Sequence, residues 1–232
     1  MQQDPGFPEF FGEAFKLCRE NPLEVGAYVG VLSVFGIGVD FLTREPEFFA
    51  DAPAETIVAG AFGMVAVVII VMVILSYLLV AALLRSRGEV PQAGSRFWAY
   101  IGYTIVAGLG VLLGFLLLVV PGLILMTRWI AAPGYVVGRE RGITEALRDS
   151  WDLTSGKAWP IFGGIVLIFV ANAMISGVFE GIALTMPTTI ALIASTVSNV
   201  VANLAGAIGL AFGIAVFCLL DRNADETADV FA

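Results

Sequence analysis

The first periodic stretch of the chain covers residues 7–19, where Phe7, Phe10, Phe11, Ala14, Phe15 and Cys18 recur at helical spacing and Lys16 and Arg19 take the other side. The pattern predicts an amphipathic helix, ended by Asn21-Pro22, that lies among lipid headgroups or packs on other protein. Periodicity then gives way to uncharged runs. Residues 25–39 with their flanks form the first, and residues 57–84 are 28 positions without a charge, enough to cross a hydrocarbon core of about 30 Å with tilt. Residues 97–127 hold 31 uncharged positions, too many for one ordinary span. Divided at the apolar turn Val119-Val120-Pro121-Gly122, they give a third span over residues 98–120 and a fourth over 121–138. Residues 158–184 and 190–220 supply the fifth and sixth, the last long enough that it must tilt or emerge.

A second amphipathic helix is predicted between the fourth and fifth spans, over residues 143–155. Thr144 is its expected cap, Glu145 sits in its first turn, and Ile143, Leu147, Ser150, Trp151 and Thr154 share one side before Gly156 stops it. The expected fold is therefore all-α: an integral membrane six-helix bundle flanked by two interfacial amphipathic helices. Residues 1–22 form the amphipathic amino-terminal segment, 23–220 the six-span domain and 221–232 an acidic tail. Residues 1–5 lack the basic segment of a cleavable signal peptide, so the first span is read as a retained anchor.

Composition narrows the chemistry. The chain is 59% hydrophobic and only 14% charged, against about 25% charged in soluble domains. A net charge of −8, with Lys16 and Lys157 the only lysines, excludes nucleic acid as a partner. The absence of histidine removes the usual zinc ligand, general base and pH switch together. Cys18 and Cys218 lie far apart with no metal spacing and read as small apolar residues. No catalytic residue, metal or cofactor is expected.

Charge in the connections sets an orientation. Lys16, Arg19, Arg85, Arg87, Arg96, Arg139, Arg141, Arg148, Lys157 and Arg222 fall on one side and Arg44 on the other, which predicts that both termini are cytoplasmic. The acidic residues Glu45, Glu47, Asp51 and Glu55 crowd the opposite loop. Arg139, Arg141, Arg148 and Lys157, with Trp151 and Trp159, are candidate headgroup contacts, each cation contributing about 1 kcal/mol against anionic lipid. Glu140, Glu145, Asp149 and Asp152 offset them locally.

Polar groups inside spans form the candidate intramembrane site. A charge at mid-bilayer costs about 2.5–3.5 kcal/mol even on the lenient insertion scale. Arg128, counted along the fourth span, falls roughly 10 Å below the outer boundary, and Glu180 and Asp40 come out at similar depth as its candidate partners. The arrangement is a buried ion pair or an anion or ion-coupling site. Asn172 and Asn199 both fall at mid-depth, where an amide seeks an amide across helices or lines a polar path. Small residues four apart (Gly26 and Gly30, Ala59 and Gly63, Gly110 and Gly114, Gly177 and Gly181, then Ala205, Gly209 and Gly213) predict seams of close helix packing, with a homo-oligomer left open.

One segment has a recognisable character. Pro121-Gly122, Arg128-Trp129, Ala132-Pro133, residues 142–156 (Gly142-Ile143-Thr144-Glu145 through Gly156) and Trp159 resemble the bacterial membrane-domain family named after glycerophosphoryl diester phosphodiesterase, related to YciC-like inner-membrane proteins. Phe11-Gly12-Glu13-Ala14-Phe15 with Asn21-Pro22 fits the same pattern. The resemblance implies a six-helix protein of the bacterial inner membrane, sometimes fused to a phosphodiesterase domain that this chain lacks. It supplies no activity for the membrane part. The expected role is a non-catalytic scaffold, accessory subunit or lipid-associated module, partnered by the bilayer and by another membrane protein or a second copy. The alternative is a carrier for a small anion or lipid.

Overall fold

A computed structural model describes residues 5–44, 53–89 and 96–231. Residues 1–4, and with them most of the segment read for a signal peptide, lie outside this range, as do Glu45, Glu47 and Asp51. Nine helices and no strand are present among the described residues: α1 (Phe7–Glu20), α2 (Pro22–Arg44), α3 (Ala54–Arg85), α4 (Phe97–Leu117), α5 (Val119–Arg128), α6 (Ala132–Val137), α7 (Ile143–Leu153), α8 (Ala158–Thr185) and α9 (Thr188–Phe231). The all-α class is as expected. Five of the helices, α2, α3, α4, α8 and α9, are long and apolar enough to cross a membrane, so the chain is built as a multi-pass membrane protein.

The fourth expected span is the exception. In place of one helix over residues 121–138, the chain makes two short ones, α5 with 10 residues and α6 with 6, separated by a break at residues 129–131. Ten residues rise about 15 Å, half a hydrocarbon core. The reversal before α5 is also tighter than the four-residue turn expected. Leu118 alone turns the chain, in extended conformation, and its N–H reaches Gly114 O at 3.0 Å. Pro121 then falls in the first turn of α5, where its missing N–H costs no helical hydrogen bond.

Helix α9 organises the bundle, packing against α1, α2, α3, α6, α7 and α8. From Ala211 to Phe217 the chain is buried on all sides, as an all-round apolar helix segment must be. Two glycines make this possible by close approach. A Cβ on Gly164 of α8 would stand 2.2 Å from the Phe212 ring, and one on Gly134 of α6 would stand 2.3 Å from the Phe217 ring. On the side of α2, Asn203 donates to Ser33 Oγ at 3.1 Å, and Asn199 donates to Asp40 Oδ2 at 2.9 Å.

The charged chain ends of several helices gather at one end of the bundle. Arg87, just past α3, pairs with Glu13 and Glu20 of α1 at 2.7 and 2.8 Å. Arg96, before α4, meets Glu140, and Arg139, after α6, meets Asp221 of α9. We call this the polar end. Buried side chains concentrate near it, including Leu79 to Leu84 of α3 with the inner faces of α1 and α6. Farther out, α3, α4 and α8 expose Val, Ile, Leu and Phe side chains such as Phe62, Ile70, Leu116 and Phe169. An apolar surface of that extent belongs against lipid rather than water.

The small-residue seams are used selectively. Gly110 and Gly114 lie under α5, and Gly213 seats the break, since a Cβ there would stand 2.6 Å from Ile130 O. Among the described residues, Gly26, Gly30, Gly63, Gly177, Gly181 and Gly209 have no neighbour within 4 Å of an added Cβ, so those expected seams are open.

Candidate functional site

The broken crossing, and the helix that holds it, form the most chemically specific region of the chain. Helix α5 returns along α4 at van der Waals distance: a Cβ on Gly114 would lie 2.9 Å from Gly122 Cα, and one on Gly110 would lie 2.6 Å from the Trp129 indole. Only glycine allows backbones this close. At its far end α5 leaves carbonyls with no helical partner. Ser150 Oγ of α7 donates to the Arg128 carbonyl at 2.7 Å. Thr154 Oγ1 lies 3.4 Å from the same carbonyl but 2.9 Å from Ser150 O, and a single hydroxyl proton favours the shorter path. The break is thus closed by α7, whose Ser150 and Thr154 are fully buried.

The same helix receives the Arg128 side chain. Its guanidinium carbon stands 5.3 Å from the centre of the Trp151 ring, a cation–π contact. Arg128 Nη1 is enclosed, with no hydrogen-bond acceptor among the described residues. The rest of the side chain is partly exposed and lines a groove of about 450 Å³ between α5 and the start of α8. Val120, Leu123, Ile124 and Thr127 form one wall, and Ala158, Trp159 and Phe162 the other. Val120, Ile124 and Trp159 are exposed, so the groove opens outward from the bundle.

The expected partners of Arg128 are elsewhere. No ion pair joins it to Glu180 or Asp40 among the described residues. Asp40 accepts from Asn199, while Glu180 is exposed on α8. Depth counted along an unbroken fourth span misplaces Arg128, because the break turns its side chain toward α7. Asn172 and Asn199 do not form the expected amide pair either: Asn172 Oδ1 accepts from Ser176 one turn along α8, at 3.2 Å, and Asn199 faces α2.

The candidate headgroup contacts divide. Arg139 is held by Asp221 and Glu89, and Arg141 by Asp149 at 3.4 Å, so protein carboxylates already engage both. Arg148 is exposed and Lys157 half-buried. Trp159 is 82% exposed beside the groove, whereas Trp151 spends one face on Arg128. Helix α7 itself is capped differently from expectation. Gly142, not Thr144, precedes it, and Glu145 Oε2 accepts from the Gly142 N–H at 3.2 Å. Of the hydroxyls assigned from sequence to an apolar side, Ser150 binds the break and Thr154 braces the carbonyl of Ser150 one turn back. Their spacing of four on an otherwise apolar face is the signal that marks them.

Groups of three or more His, Cys, Asp or Glu side chains placed to hold a metal do not occur among the described residues. Neither a curated protein nor a solved structure matches the chain. A family model does match, over residues 47–220, and it replaces the phosphodiesterase-associated and YciC-like family suggested by the sequence motifs. That match takes in the broken crossing, its clamp and the groove, and by it the chain belongs to the family described as Domain of unknown function (DUF7847).

Proposed function

We propose that the chain is a non-catalytic, lipid-associated module of a cytoplasmic membrane. The observation that carries this reading is the groove between α5 and α8: an apolar slot, open outward, with a cation at one end and an exposed tryptophan beside it. Slots of this kind suit an amphiphile better than a polar solute, because the walls reward burial of hydrocarbon and offer few polar contacts. The excess of Lys and Arg at the polar end fits that end, and with it both termini, facing the cytoplasm.

The test is retention of lipid. Full-length protein extracted in mild detergent and washed should carry tightly held lipid into native mass spectrometry, and Ile124→Trp, which fills the slot, should remove it. Equal retention by the filled variant would overturn the reading. Movement of lipid between leaflets of a liposome, abolished by the same variant, would make the module a carrier.

A second reading, as an accessory subunit, has its own support. Along α8, Gly177 and Gly181 are exposed with open space above them, beside the exposed Glu180. A small-residue ridge with an adjacent carboxylate suits a partner helix that brings a hydrogen-bond donor. Gly177→Leu should then release a protein that co-purifies at fixed stoichiometry with the native chain.

A further inference from the structure

The groove ends in an uncompensated charge. Arg128 lies in a wall of Val, Leu, Ile and Phe side chains, yet no carboxylate pairs with it among the described residues, and its Nη1 has no acceptor. The Arg128 carbonyl is engaged by Ser150 Oγ. The cation–π contact with Trp151 stabilises the cation, but a π face supplies no in-plane acceptor for its N–H groups. The part of the guanidinium left open to the groove has no acceptor from the protein among the described residues, and an oxyanion in the groove would supply one.

We propose that Arg128 binds the headgroup phosphate of an anionic phospholipid, with one acyl chain lying along Val120, Ile124 and Phe162. This rests on the reading that the groove holds lipid and adds the lipid's class. Phosphate matches the planar fork of a guanidinium, two N–H groups to two oxygens, which an ammonium cannot reproduce. The hydrocarbon of the slot specifies a lipid rather than a free ion. From Val120 to Arg128 the wall rises about 12 Å, room for a good part of an acyl chain. Trp159, 82% exposed next to Arg128, is placed where an indole meets glycerol and headgroup. An anionic headgroup is favoured over a zwitterionic one because no protein carboxylate at Arg128 offsets its charge, while a choline would meet the cation with one of its own.

The experiment uses the full chain in nanodiscs of phosphatidylcholine doped with phosphatidylglycerol, with retained lipids counted by native mass spectrometry after release into mild detergent. Phosphatidylglycerol should be enriched roughly tenfold over its share of the disc, the equivalent of one charge-assisted hydrogen bond. Arg128→Gln should abolish the enrichment while total retained lipid stays the same, and Arg128→Lys should lower it. Wild type holding lipid without preference would overturn the phosphate site and leave the groove reading intact. Wild type holding no lipid would overturn both. Enrichment that survives Arg128→Gln, or that is undiminished in Arg128→Lys where the glutamine variant does not fold, would overturn the assignment to this residue. Displacement of phosphatidylglycerol from wild type by inorganic phosphate would overturn the lipid in favour of a free anion.

Discussion

Helices α1 and α7 share a local plan and serve different ends. Each begins after a glycine whose N–H is accepted by a glutamate three residues on, Gly6 by Glu9 at 2.9 Å and Gly142 by Glu145 at 3.2 Å. Both are amphipathic and both lie at the polar end. Their buried faces differ. Helix α1 presents rings, with Phe10 and Phe11 against Phe212 of α9 at centroid distances of 6.2 and 5.1 Å. Helix α7 presents hydroxyls to a backbone break and an indole to a cation. The first arrangement is adhesion by apolar area. The second spends a buried polar group on a backbone carbonyl at the break between α5 and α6, which packing alone does not require.

The largest test of that difference is Phe10→Ala. Phe10 is fully buried, so its truncation should destabilise the fold by about 3–5 kcal/mol in a detergent unfolding titration and loosen α1. Amides of residues 128–134 should keep their hydrogen-exchange protection unless α1 also braces the break. Ser150→Ala should do the converse. Leaving the Arg128 carbonyl without its donor should cost about 1–3 kcal/mol, with faster exchange confined to the ends of α5 and α6. If Phe10→Ala and Ser150→Ala produce the same exchange pattern, the two helices act as one unit and the contrast fails.

Smaller effects probe what the two share. Glu9→Ala and Glu145→Ala each remove a carboxylate acceptor at a helix start and should cost about 1 kcal/mol apiece, equally if the common plan is real. The smallest effect concerns Cys18, whose thiol burial against the bundle pushes up. In a Cys218→Ala background its alkylation should become fast only at more alkaline pH than for an exposed thiol. Phe10→Ala should bring that midpoint back down, as monitored by mass spectrometry.

Legibility in the sequence followed the physics of each feature. Long spans were legible because an uncharged run needs no knowledge of neighbours, and α2, α3, α4, α8 and α9 fall where those runs do. Helix α1 was legible as a helix, and its choice between headgroups and protein was decided by α9, through Phe212. The break was not. Pro121-Gly122 drew attention as the turn, whereas the turn is Leu118 and the interruption comes after Arg128, where no proline or glycine sits until Pro133. Arg128 and Asn172 stand out by position, but their partners depend on which way each helix is rotated, and a linear count of depth carries no azimuth. Ser150 is legible as a member of a face and illegible as a donor across helices, since the carbonyl it serves becomes an orphan only once the break exists.

The single-residue reversal at Leu118 bears on how the protein is made. With no polar residue between α4 and α5, a translocating ribosome delivers one unbroken apolar stretch, and nothing in it marks where a first segment should halt. The contact of Gly114 with Gly122, which sets α5 against α4, therefore cannot define the boundary until both helices have been made. A bulky residue at Gly114 would collide with the Gly122 backbone and leave α5 without its seat on α4.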